Sequence, residues 1–68
     1  MNADRVRRVF RMVNKELASK GIELDYKDYA AIIRRDWYPG MPDEIIREPY
    51  GEYRLALSLF EERGGGSG

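Results

Sequence analysis

Apolar side chains recur along this chain at intervals of three and four, the spacing that places them on one face of an α-helix. Val6, Val9, Phe10, Val13 and Leu17 share one narrow face and predict a first helix over 4–20. Asn2 or Asp4 can cap it, because a short polar side chain accepts the free N–H groups of a first turn. Gly21 follows Lys20 and suits a left-handed stop. Ile22 and Leu24 would anchor the connection that follows.

A second run predicts a helix over 26–36, with Asp25 as its cap and Asp28 in its first turn. Its stripe is Tyr26, Tyr29, Ala30, Ile33 and Trp37, with Ile32 off to one side. The segment from Trp37 to Pro42 must end it, since residues before proline avoid helical angles. Pro39-Gly40 fits the centre of a type II turn, which needs a left-handed residue at its third position.

Beyond the turn, Pro42 opens a short helix over 42–48, with Asp43 and Glu44 favourable in its first turn. Pro49 lacks an N–H and clashes with the preceding turn, so the chain should break there and restart as a last helix over 49–63. One kinked helix over 43–63 is the alternative. On a helical wheel, Tyr50, Tyr53, Leu55, Ala56, Leu57, Leu59 and Phe60 span an arc of about 220°, well beyond an ordinary stripe. The pattern gives an all-α fold, a small three-to-four-helix bundle with helices at about 4–20, 26–36, 42–48 and 49–63.

Length sharpens this picture. The chain has 68 residues with no cysteine and no histidine. A domain of this size buries only ~60% of its unfolded surface and is marginal unless a disulfide, a metal, a partner or good helix packing supports it. Disulfides are impossible, and the ligands zinc prefers are absent. One helical domain over 1–63 is expected. The Gly-Gly-Gly-Ser-Gly run at 64–68 has the composition of a flexible linker or a tag scar. That tail points to an engineered or designed helical mini-protein. No apolar run approaches the ~20 residues of a membrane span, and the start lacks the apolar stretch of a signal peptide. A cytoplasmic setting without membrane contact is the expectation.

Candidate chemistry is sparse. Without histidine or cysteine there is no ready proton shuttle near neutral pH and no thiolate nucleophile. Ser19, Ser58 and Ser67 have no evident base, and the glycines form no phosphate-cradling loop. The carboxylates have the spacing of solvated helix faces. The reading is therefore non-enzymatic, with no cofactor and no metal.

Charge is balanced overall, with 12 basic and 12 acidic residues, but it is unevenly placed. Residues 1–20 carry six basic and two acidic side chains; residues 37–63 carry three and six. Arg7, Arg11 and Lys15 fall on one side of the first helix with Arg8 beside them, a stripe that could bind an anion or track phosphates. Zero net charge argues against nucleic acid, and the acidic half could pair with the stripe instead.

The rings are the stronger functional lead. Tyrosine and tryptophan dominate binding hot spots because each offers a large, stiff, amphipathic surface. Some must be core, but two narrow stripes cannot use them all. The expected partner surface is Trp37, Tyr38, Met41, Tyr50, Tyr53 and Leu57, meeting another protein or a second copy.

The segment Glu48-Pro49-Tyr50-Gly51-Glu52-Tyr53-Arg54 resembles the Glu-Pro-aromatic-Gly-Glu-x-Arg signature of some tailed-phage minor tail or tail-assembly proteins. The resemblance implies a structural or assembly role through protein contacts. It covers seven residues, and Leu55, Ala56 and Leu57 stand where that family carries an acidic residue.

Overall fold

The computed structural model describes residues 2–62, and these contain three α-helices and no strand. Arg63 and the linker-like run at 64–68 lie outside the described residues. Helix α1 spans Ala3–Ser19, α2 Tyr26–Asp36 and α3 Asp43–Phe60. Among the described residues, no helix is long and apolar enough to cross a membrane.

The helix boundaries follow local chemistry. The Asn2 side chain accepts from the N–H groups of Asp4 and Arg5, at 2.9 and 3.3 Å, and opens α1. At the far end, Ile22 N–H reaches the Leu17 carbonyl and Gly21 N–H reaches that of Ala18, both at 3.0 Å. This is the Schellman pairing, and it holds Gly21 at φ 67°, where a side chain would be strained. Asp25 accepts from the Asp28 N–H at 2.9 Å and starts α2. After α2, Met41 N–H closes onto the Tyr38 carbonyl at 3.1 Å around Pro39-Gly40. Gly40 has no positive φ. The turn is therefore not the expected type II, and glycine is not forced at that position.

The main departure from the sequence pattern lies at Pro49. One helix, α3, stands in place of the two pieces expected over 42–48 and 49–63, close to the single-helix alternative over 43–63, and Pro49 sits inside it. An interior proline costs ~3 kcal/mol because it removes a hydrogen bond to the fourth preceding carbonyl, here that of Ile45. Continuity is worth more than that cost. Ile46 before the proline and Tyr53 and Leu57 after it are all buried in the same core. Breaking the helix would take one side or the other out of that core. The Asn14 side chain also donates to the Pro49 carbonyl at 3.0 Å and pins the site.

The core draws on every element. Phe10, Val13 and Ala18 come from α1; Tyr29, Ala30 and Ile33 from α2; Met41 from the turn; Ile46, Tyr53 and Leu57 from α3. Asn14 pairs with Pro49, and Phe60 lies 3.7 Å from where a Cβ on Gly21 would stand. Both helices advance together between these two points, so α1 and α3 run side by side in the same direction. Helix α2 returns in the opposite direction alongside α3 and packs its tyrosines on it.

Four tyrosines close that α2–α3 contact. Tyr26, Tyr29, Tyr50 and Tyr53 have neighbouring ring centroids 5.2–5.8 Å apart. Each hydroxyl has a partner, as buried phenols require. Tyr50 donates to the Leu24 carbonyl at 3.0 Å. Tyr53 donates to the Ile22 carbonyl and accepts from the Leu24 N–H. Tyr26 donates to the Asp43 carboxylate at 2.6 Å, which also accepts from Arg34 at 2.8 Å. These two bonds, that from Tyr26 foremost, hold the Asp43 carboxyl below its ordinary 3.8.

Candidate functional site

The rings expected at a partner surface serve mostly inside the protein. Met41, Tyr53 and Leu57 are closed into the core, so a partner cannot reach them on the folded chain. Their burial corrects the expectation: Tyr53 and Leu57 lie inside because α3 is continuous, and Met41 because the turn before α3 sets it in the core. Once Pro49 is carried within the helix, Tyr53 and Leu57 extend the line of Ile46 into the interior. Tyr50 is half-buried and committed to Leu24. Of the six residues, Trp37 is exposed and Tyr38 half-buried at the end of α2.

The exposed apolar surplus sits chiefly on α3. Leu55, Leu59, Ile45 and Phe60 are 65%, 51%, 45% and 39% exposed. Two of them, Ile45 and Phe60, line a groove of about 920 Å³ between α1 and α3. Its floor is completed by Val6, Phe10 and Ala18 from α1 and by Pro49 and Ala56 from α3. The groove follows from α3's wide apolar arc. One part of the arc faces the core, and the next part faces outward beside α1.

The walls of the groove carry opposite charge. Arg7, Arg11 and Lys15 stand along the α1 side at successive turns, four residues apart. Glu44, Glu48 and Glu52 stand along the α3 side with the same spacing. Because the helices are parallel, the basic row and the acidic row climb the groove in the same direction. All six side chains are exposed. Ion pairs among the described residues join Lys20 to Glu16, Arg34 to Asp43, Arg35 to Asp36 and Arg54 to Glu23, and none crosses the groove. The basic stripe and the acidic half thus face each other across an open apolar floor instead of pairing. Arg8 lies apart from this wall, in a shallow hollow with Asn2, Arg5, Val9 and Met12.

For an anion this arrangement is poor. Three guanidinium or ammonium groups attract a phosphate, and three carboxylates in the same groove repel it. For an apolar ridge with charged flanks it is favourable. Past Glu52 the α3 wall continues as Leu55 and Leu59, at helical spacings of three and four, so its C-terminal end is apolar beside Phe60.

One residue beneath the floor breaks the hydrophobic pattern. Asn14 is buried within the α1 stripe. Its amide donates to the Pro49 carbonyl at 3.0 Å and its oxygen accepts from the Tyr29 hydroxyl at 2.7 Å. Burial raises the Tyr29 phenol well above its ordinary 10.0, so the hydroxyl stays protonated and remains a donor. Asn14 therefore ties all three helices together under the groove. Its position one residue after Val13 and four after Phe10 was the available clue: a polar residue on an apolar face needs a buried partner.

Comparison with known protein families, with curated proteins and with solved structures finds no match for this chain.

Proposed function

We propose that this chain is a protein-recognition module whose binding surface is the α1–α3 groove and the apolar edge of α3 beside it. The observation that carries this reading is the open floor bearing Ile45 and Phe60, continued by Leu55 and Leu59. Four large apolar side chains left wet on one face are costly for a domain that needs every contact. An apolar patch with a polar rim is the usual mark of a protein-binding face. A designed helical mini-protein is the origin most in keeping with the Gly/Ser-rich tail at 64–68.

The test is selection of binders from a library of constrained helical peptides, followed by mapping of amide shifts. Bound peptides should perturb Val6 to Ser19 of α1 and the facing side of α3. Ile45→Gln should weaken binding by about tenfold or more, the order expected for an apolar anchor. It should change stability by less than ~1 kcal/mol, since Ile45 is already half exposed. Trp37→Ala should leave binding unchanged. Loss of binding in the Trp37 variant alone would move the site to the end of α2.

The phage-assembly reading rests on residues 48–54. In α3 this segment supplies the interior proline, the Tyr50–Tyr53 pair of the core and two side chains of the acidic wall, Glu48 and Glu52. It supports the same class of role, contact with another protein.

A further inference from the structure

We infer that the groove accepts one amphipathic helix of bipolar charge, acidic along the edge that meets α1 and basic along the edge that meets α3, and that the two walls set the direction in which it lies. This inference rests on the recognition reading above and adds to it the chemistry and polarity of the partner.

Shape selects a helix. The groove runs the length of α1 from Val6 to Ser19, ~20 Å at the helical rise. Helices pack by setting a ridge of one into the groove between others. A second copy presented symmetrically would offer the same concave face, and two concave faces leave the floor unfilled. An incoming helix of about four turns would lie beside α1 and α3 and complete a bundle.

Charge selects the edges. Arg7, Arg11 and Lys15 repeat every four residues, and so do Glu44, Glu48 and Glu52. An incoming helix with carboxylates at i, i+4 and i+8 on one flank and lysines at matching positions on the other meets opposite charge along both walls. A uniformly acidic or basic helix meets attraction on one wall and repulsion on the other.

The directional consequence follows from geometry. Reversing a helix end for end in the groove, with its apolar stripe still facing the floor, exchanges its left and right flanks. A bipolar helix therefore fits its charges in one direction only. Exchanging its acidic and basic flanks should reverse it, not expel it.

The experiment uses four side-chain-stapled peptides sharing one repetitive leucine–alanine stripe. Two are bipolar with their flanks exchanged, one is acidic on both flanks and one is basic on both. Stapling matters because a helix this short is marginal when free. Affinities are measured by fluorescence anisotropy at low and high salt. A spin label at each peptide N-terminus reports direction through broadening of protein amide signals.

Both bipolar peptides should bind within a few-fold of each other, and each should bind on the order of tenfold tighter than the uniformly charged pair, given the modest strength of exposed ion pairs. That advantage should shrink at high salt. One bipolar peptide should broaden amides near Val6 and Ile45, and the other those near Ser19 and Phe60. Equal affinity of all four peptides, or one shared direction for both bipolar peptides, overturns the inference while leaving recognition by the groove intact. Failure of every peptide to bind a monomeric chain overturns the recognition reading and this inference with it. A dimer seen by light scattering, with the groove amides shifted and no peptide present, makes a second copy the occupant and overturns it as well.

Discussion

At the scale of the residue, Asn14 does the most with the least. Its two hydrogen bonds leave no polar atom of its side chain unmet, and they join α1 to α2 and to α3. Removing it strands the Tyr29 hydroxyl and takes the pin from the Pro49 carbonyl. Leaving a buried polar group unmet costs about 1–3 kcal/mol. Asn14→Ala should therefore destabilise the fold by ~2–3 kcal/mol, and Tyr29→Phe by ~1 kcal/mol. In the double variant the two losses should fall short of their sum by ~1 kcal/mol, because the shared bond is lost once. Urea unfolding of the four proteins checks it. Strict additivity would show that the two side chains do not act as a pair.

At the scale of the element, α3 decides how the rest is arranged. The helix keeps Ile46, Tyr53 and Leu57 on one buried line across an interior proline. Pro49→Ala restores an N–H that can reach the Ile45 carbonyl and removes the ring's clash. Thermal unfolding should show a gain of up to ~3 kcal/mol. A loss would mean that the proline shapes a bend the core requires. Much of the secondary structure was legible beforehand. The period of three and four marked α1 and α2, Gly21 marked the stop, and Asp25 marked the start of α2. Pro49 misled because local rules weigh one lost hydrogen bond, whereas the helix answers to core contacts on both sides of it. Tyr53 and Leu57 were misplaced because the wide arc of the last helix does not by itself show which of its sides meets the core. Gly40 misled in a smaller way, since a glycine permits a left-handed turn without requiring one.

At the scale of the whole molecule, recognition depends on where the surplus of apolar surface lies. The sequence showed an excess and the wide arc of the last helix, and both are present. It did not show which side chains are the excess, because the tyrosines that look like a binding surface close the α2–α3 contact through their hydroxyls. Nor did it show that the basic and acidic stripes face each other across a gap. That depends on the parallel course of α1 and α3, a property of the assembled bundle that no local pattern encodes. The most direct test is hydroxyl-radical footprinting of the free chain, at a concentration where light scattering gives the 7.9 kDa mass of one copy. Within each residue type, Phe60 should react faster than Phe10, Leu59 faster than Leu57, Ile45 faster than Ile46 and Met12 faster than Met41. Equal protection of Ile45, Leu59 and Phe60 with their buried counterparts, in a particle of that mass, would contradict an open groove.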